Sequence, residues 1–283
     1  MAYKISKEDM IKELKQGKSL RQVGREYGIS KSMIHYIAKH YELESDWSKK
    51  NNMRRLDERF NKVESKEVAY IIGFLLGDGS ISREDYVSVC QCLRDKDVIE
   101  WMADYLGIKP LYSYKFDKKS RTFPHVAFTC KIKYIGRYFG NGLKPTRHYP
   151  IVPKQYEPYL LRGLFEADGC ILGGARYDRP NRSRFWWRFV INHHQKCLEG
   201  VQKFLYKRLN ISSIVKKRTT EESYVLEINN ADDVQKIMNF MYADVDFMPY
   251  HRKYAKYIAM RLESDKFMER KKQALLNHEP ITE

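Results

Sequence analysis

The feature that most constrains this chain is a nine-residue pattern that occurs twice. "IIGFLLGDG" at 71–79 and "LRGLFEADG" at 161–169 each carry a glycine, a small residue four positions later, and then Asp-Gly. A spacing of four puts both small residues on one helix face, where they let two backbones approach closely. The residues so placed are Gly73, Gly77, Gly163 and Ala167. The pattern therefore predicts two helices that pack on each other.

Each predicted helix ends in an aspartate, Asp78 in the first and Asp168 in the second. A helix C-terminus carries partial negative charge, so a carboxylate there is unfavourable by up to about 1 kcal/mol. Packing the two helices together adds repulsion between the carboxylates. A divalent cation bound between them would offset both effects, because hard cations take oxygen ligands. The pair of aspartates thus predicts a metal site.

The surroundings of the two patterns also match. After each Asp-Gly, hydrophobic periodicity predicts two strands, an amphipathic helix, two further strands and a closing helix. The closing helix is predicted over 131–143 in the first half and over 231–245 in the second. Both halves therefore have the predicted order helix, two strands, helix, two strands, helix.

The first 45 residues predict three short helices with a turn glycine, a serine cap and apolar spacing that agree with one another. This arrangement resembles the helix-turn-helix of many DNA-binding proteins. The first residues of the last helix face the major groove in that motif, which predicts DNA contacts by Lys31, Ser32 and His35. Residues 46–65 are polar and basic, and are predicted to form a linker or an exposed helix.

The composition favours a polyanionic partner. The formal net charge is +16, and phosphates attract lysine and arginine. Five cysteines without a CxxC pair argue against a disulfide framework or a zinc ribbon. The sequence shows no long apolar span, signal peptide or lipidation motif, so neither a membrane nor secretion is expected. We expect a cytoplasmic protein of a bacterium or phage, or one in an organelle that has a genome.

The paired patterns, their spacing and the element order resemble the LAGLIDADG homing endonucleases in their single-chain, two-motif form. The resemblance implies an α+β fold with two pseudo-symmetric αββαββα halves, a motif-helix interface and a saddle of antiparallel sheets, plus the small all-α helix-turn-helix domain. One chain supplies both halves, so we expect a monomer with internal pseudo-two-fold symmetry. The predicted divisions are 1–45 for the helix-turn-helix domain, 46–65 for the linker, 66–150 and 151–265 for the repeats, and 266–283 for a C-terminal tail.

The resemblance also implies a reaction and a site. Family members cut both strands of a long DNA target by Mg²⁺-dependent phosphodiester hydrolysis, using two or more divalent ions. By position, Asp78 and Asp168 would bind metal, with the carbonyls of Gly77 and Ala167 as further ligands. Family members often have an amide side chain late in the second strand and a lysine near the closing helix, which implies Gln91 and Lys131 here.

The second half leaves two points open. The place of Gln91 holds Asn192, His193 and His194, and the residues do not decide among them. Glu227 stands near the strand end where a lysine would match Lys131, which puts the symmetry of the two centres in doubt.

A basic hairpin in the second half is predicted to lie on DNA, with its arginines reaching guanine edges or phosphates. Its arginines are Arg176, Arg179, Arg182, Arg184 and Arg188. Further along, Lys253 and Lys256 are predicted to contact phosphate rather than to take part in chemistry.

Two other functions are compatible with the same fold. The chain could be a non-cleaving transcriptional regulator that binds DNA, or a maturase that helps an intron RNA to splice. Retention of both aspartates favours the nuclease, because a pure binding protein need not tolerate two carboxylates at helix ends. The GIY-YIG and HNH nuclease patterns are incomplete, and the chain lacks the terminal His-Asn of an intein.

Overall fold

The computed structural model describes residues 5–15, 18, 20–41, 43, 58–81, 86–114, 123–139, 148–177, 183–218, 223–247 and 252–276. The chain divides into two compact units, residues 1–56 and 57–283. Each unit has its own hydrophobic core. No helix in these described ranges is long and apolar enough to cross a membrane.

The first unit contains three helices, α1 (Lys7–Lys15), α2 (Leu20–Glu26) and α3 (Lys31–His40). Between α2 and α3 the chain turns at Gly28, whose φ of +61° favours glycine. Ser30 caps α3 by accepting a hydrogen bond from the backbone N–H of Met33 at 3.3 Å. The three helices lie where the sequence predicts helical segments, whereas contact with DNA stays a prediction.

The second unit is built from two four-stranded antiparallel sheets with the same strand order, β1-β2-β4-β3 and β5-β6-β8-β7. The strands of the first sheet are Gly79–Ile81, Tyr86–Cys92, Leu111–Ser113 and His125–Lys131, numbered β1 to β4. Those of the second are Gly169–Tyr177, Ser183–His193, Ile214–Lys217 and Tyr224–Ile228, numbered β5 to β8. The repeated topology confirms the predicted α+β class with two related halves.

Six helices of the second unit matter for the site, and they follow in chain order. They are α4 (Lys66–Asp78), α5 (Lys96–Leu106), α6 (Glu157–Asp168), α7 (Gln195–Leu209), α8 (Ala231–Met241) and α9 (Arg252–Leu276). Helix α4 packs against α6 in the middle of the core. A methyl group on Gly73 would collide with the backbone of Leu160, and one on Gly163 would lie 2.7 Å from the backbone nitrogen of Phe74. The predicted close approach of the two helices is confirmed.

The core between the halves also holds a buried polar network. Glu166 accepts hydrogen bonds from Tyr70 Oη at 2.5 Å, Arg162 Nε at 3.0 Å and Tyr242 Oη at 2.8 Å. Burial raises the pKa of the Glu166 carboxyl, and the Arg162 guanidinium opposes that shift. These partners satisfy a carboxyl that would otherwise be costly to bury, and they fix how α6 sits against α4.

Three segments differ from the sequence prediction. In place of the closing helix over 131–143, the described part forms a short 3₁₀ helix at Ile135–Tyr138, and residues 140–147 lie outside the described residues. The predicted linker includes Phe60, which is fully buried in the core of the second unit, while 46–57 lies outside the described residues. The predicted tail from 266 begins inside α9, because Phe267 continues the buried face of that helix.

Candidate active site and nucleic-acid interface

The C-terminal ends of α4 and α6 bring the two aspartates together. A methyl group placed on Gly77 would lie 2.5 Å from Cβ of Ala167 and 3.1 Å from Oδ2 of Asp168. After Asp78 the chain passes directly into β1, and after Asp168 into β5. The glycine that follows each aspartate is needed because a side chain there would press on the preceding helical turn.

In the first half, Gln91 contacts the aspartate directly. Its Nε2 donates a hydrogen bond to Oδ2 of Asp78 at 2.5 Å. Strand β2 carries Gln91 two residues beyond Val89, which pairs with Gly79. The sheet register therefore delivers the amide to the end of α4, where the resemblance places it.

In the second half, the register selects His193 from the three candidates. Gly169 pairs with Ile191, and His193 lies two residues further along β6, as Gln91 does along β2. The contacts of His193 differ from those of Gln91. Its Nε2 lies 2.8 Å from the carbonyl oxygen of Leu76 in α4 and 3.9 Å from Oδ2 of Asp168.

Lys253 lies at the end of α6, which sequence reasoning did not foresee. Its Nζ donates hydrogen bonds to the carbonyl oxygens of Phe165 at 2.9 Å, Ala167 at 3.1 Å and Gly169 at 2.5 Å. Burial, assisted by the neighbouring Arg252, lowers the pKa of Lys253 to about 8. An ammonium group at this place counters the negative end of the helix. The acidic last turn of α6 calls for a cation, but no local spacing identifies a lysine so far along the chain.

Arg252 joins the beginning of α9 to the first half. Its guanidinium contacts the carboxylate of Asp95 through Nε at 2.7 Å and Nη2 at 3.3 Å. Asp95 is buried at the start of α5, shortly after Gln91. This two-point contact restricts rotation of the pair, and it holds the neighbouring Lys253 in place.

The structure does not bring Lys131 to the aspartates. Lys131 pairs with Tyr86, whereas Gln91 pairs with Val126 on the same strand. Five residues of antiparallel strand separate Val126 from Lys131, a distance of about 17 Å. The Nζ of Lys131 lies 5.6 Å from the centre of the Tyr86 ring.

The donor set at the helix ends fits a hard divalent cation. Within the described residues, no group of three or more His, Cys, Asp or Glu side chains is arranged to hold a metal. A metal here would therefore depend on Asp78, Asp168, backbone carbonyls and oxygens of the substrate, which are the ligands that Mg²⁺ accepts. The carbonyl of Ala167 already accepts a hydrogen bond from Lys253, although a second lone pair is available on that oxygen.

The predicted basic hairpin forms an exposed ribbon. Arg176 faces Arg184 across β5 and β6, and Trp186 lies on the same side of the ribbon. The guanidinium carbons of Arg176 and Arg188 lie 4.9 and 5.8 Å from the centre of the Trp186 ring. Of the predicted contact residues, Arg179 and Arg182 lie outside the described residues. Sequence reasoning missed Trp186, whose position between two arginines only the strand pairing reveals.

In the first unit, Ser32 and His35 are exposed on α3. Lys31 is the first residue of that helix, and its side chain lies outside the described residues. Two larger side chains share the exposed surface of α3, Met33 and Tyr36, which are 48% and 60% exposed. Sequence reasoning missed both as surface residues.

Comparisons with known proteins agree with the fold. A family model described as a LAGLIDADG-like domain matches residues 156–239. The I-SmaMI LAGLIDADG homing endonuclease bound to cleaved DNA has a TM-score of 0.51 at 13% identity, with 72% of this chain and 90% of that chain covered. The I-LtrWI LAGLIDADG homing endonuclease bound to target DNA has a TM-score of 0.50 at 12% identity, with 74% and 92% covered. No curated protein matches the sequence. The chain therefore contains a LAGLIDADG-like domain, and its larger unit has the fold of the LAGLIDADG homing endonucleases.

Proposed function

We propose that this protein is a site-specific endonuclease that binds a long double-stranded DNA target and hydrolyses both strands. The observation that carries the proposal is the meeting of Asp78 and Asp168 at the ends of two packed helices, each leading into the first strand of its own sheet. Carboxylates in such a place repel each other, and a bound divalent cation and a phosphate would make the arrangement favourable. The fold shared with I-SmaMI and I-LtrWI, both bound to DNA, supports the same function.

Mg²⁺ bound at the two aspartates would polarise the scissile phosphate and lower the pKa of an attacking water. The protein's own residues arrange the site. Gln91 orients the carboxylate of Asp78 through its hydrogen bond. Lys253 fixes the end of α6, and Arg252 anchors that lysine to the first half.

The basic ribbon supplies DNA contacts in the second half. Arg176, Arg184 and Arg188 present charge on one side of β5 and β6, with Trp186 between them. Arginine binds phosphates and guanine edges with paired hydrogen bonds, and a thymine methyl can pack on an aromatic ring. The net charge of +16 would draw the protein to DNA in a salt-dependent manner.

The first unit would add a second DNA contact through α3. Ser32 and His35 are exposed near the start of that helix, where a helix-turn-helix meets base edges. Such a contact would either strengthen binding at the cleavage site or let the protein repress its own gene.

The test begins with the full chain and a randomised duplex library. Duplexes selected by binding are then incubated with Mg²⁺ or with EDTA. We expect double-strand cleavage that requires Mg²⁺, and we expect Asp78→Asn and Asp168→Asn to bind the same duplexes without cutting both strands. Exchange of Asp97 for asparagine, on the first turn of α5 away from the site, is the matched control.

Tight binding without cleavage of any selected duplex would overturn the nuclease proposal in favour of a DNA-binding regulator. Binding confined to structured RNA would overturn it in favour of a maturase. Normal cutting by both aspartate variants would contradict the assigned site.

A further inference from the structure

The two ends of the site have equivalent positions but different chemistry. Gln91 and His193 occupy matching places, two residues beyond the strand residue that pairs with Gly79 or Gly169. An amide and an imidazole differ in the hydrogens that they can offer. The amide nitrogen of glutamine has two hydrogens, whereas a neutral imidazole has one.

Gln91 uses its amide on the carboxylate, with 2.5 Å between Nε2 and Oδ2 of Asp78. The second hydrogen of that amide is still available to orient a water or a phosphate oxygen. Gln91 can therefore fix the carboxylate and the attacking water at the same time.

Both ring nitrogens of His193 are engaged by backbone groups. Nδ1 accepts a hydrogen bond from the backbone N–H of His194 at 2.7 Å, so Nδ1 carries no hydrogen. The ring hydrogen is then on Nε2, which points at the carbonyl oxygen of Leu76 at 2.8 Å. The same nitrogen is 3.9 Å from Oδ2 of Asp168, beyond hydrogen-bonding distance.

The contact to Leu76 also crosses between the halves. Leu76 belongs to the last turn of α4, which carries Asp78, whereas His193 belongs to the second sheet. His193 is 7% exposed, so this hydrogen bond is shielded from water. The histidine therefore stabilises the end of the opposite helix.

We propose that His193 is a positioning residue that makes the Asp168 end the slower half of the site, so that one strand is nicked first and a singly nicked duplex accumulates. This inference rests on the endonuclease function proposed above. At each strand, the oxygen of a water bonds to phosphorus while the bond from phosphorus to O3′ breaks. The water's proton passes to solvent, the 3′ oxygen leaves and becomes a hydroxyl, and the other product keeps the 5′ phosphate.

The experiment uses the full chain, Mg²⁺ and a duplex selected by binding, with a different label on each strand. Single-turnover cleavage then gives a rate constant for each strand. One hydrogen bond to a charged group changes a rate by about tenfold or more. We expect the two rate constants to differ by at least about that factor, with the same strand nicked first in every molecule.

Two substitutions assign the strands. Gln91→His should slow the faster strand to about the rate of the slower one, and His193→Gln should speed up the slower strand. His148→Gln, the same exchange as His193→Gln at an exposed residue before α6, serves as the control and should change neither rate. Since Gln91→His leaves the contact with Leu76 intact, it tests the inference even if His193→Gln fails to fold.

A measurement without cleavage tests the histidine itself. Nitrogen NMR of the metal-free protein near pH 8 should show His193 with its hydrogen on Nε2 and an unprotonated Nδ1. A hydrogen on Nδ1 would overturn the inference, as would equal rates for the two strands in the unmodified protein. If the unmodified protein cuts neither strand, both the proposed function and this inference fail, whereas equal rates contradict the inference alone.

Discussion

Gly163 lies where the backbones of α4 and α6 meet, and it gives the sharpest test of that contact. A methyl group there would lie 2.7 Å from the backbone nitrogen of Phe74, and backbone atoms cannot move aside. Although alanine is the better helix former by about 1 kcal/mol, we expect Gly163→Ala to destabilise the protein by about 1–3 kcal/mol.

Urea unfolding measures the change, and Gly174→Ala is the control. At Gly174 a methyl group would lie 3.8 Å from its nearest neighbour, Nε1 of Trp186, so we expect a change below about 0.5 kcal/mol. A stabilising effect of Gly163→Ala would show that the helices do not pack as described.

Asp244 predicts acid sensitivity. Its carboxylate accepts hydrogen bonds from Lys66 Nζ at 2.8 Å and Tyr159 Oη at 2.9 Å, and these lower the pKa of Asp244 below its ordinary value of 3.8. A lowered pKa gives stability that is present above the ordinary value and is lost as the pH falls through the folded-state value. We therefore expect the urea midpoint to fall with pH more steeply in the unmodified protein than in Asp244→Asn, over about pH 5 to 2. Identical slopes would refute the assignment.

At the scale of elements, α9 organises both the site and the DNA-binding ribbon. Its first turn carries Arg252 and Lys253, which reach Asp95 and the end of α6. Its later turns pack on the side of β5 and β6 that faces away from Trp186. Phe267 lies there against the rings of Tyr177 and Phe185, with ring centres 5.8 and 6.1 Å away.

We expect Phe267→Ala to destabilise the protein by about 3 kcal/mol, because a large buried ring is removed. Met268→Ala changes the next residue, which is 57% exposed, and should cost less than about 0.5 kcal/mol. Urea unfolding of the two variants distinguishes a packed helix from a dispensable tail. Equal stabilities would indicate that residues beyond 265 do not support the ribbon.

At the scale of the whole molecule, the two units have separate cores. We expect a chain of residues 57–283 to fold alone and to retain cleavage, with weaker binding and a shorter footprint on DNA. The salt dependence of binding should also decrease, because fewer phosphates are contacted.

Footprinting and binding at several salt concentrations check this prediction. A full-length chain with Lys12→Ala, an exposed position on α1 away from α3, is the control. An unchanged footprint and affinity after deletion would remove the proposed role of the first unit.

Local patterns determined the fold class and the central pair of helices. Glycine spacing at Gly73 and Gly163, together with an aspartate at each helix end, is a short-range signal that survives any tertiary context. The repeat of the signal then identified two related halves. The same reasoning gave Gln91, because its strand lies next to the motif helix in the chain and has few possible registers.

Lys253, Arg252 and the choice of His193 depended on tertiary structure. Lys253 lies 84 residues beyond Gly169, whose carbonyl it contacts, and many lysines would satisfy the same electrostatic requirement. The placement of Lys131 failed for a related reason, since its distance from the aspartates depends on strand register. The sequence by itself determined that two carboxylates meet at packed helix ends, because glycine contacts and charge are local properties. Only the tertiary structure decided which distant side chains stabilise those ends, because long-range contacts depend on how sheets and helices are arranged in space.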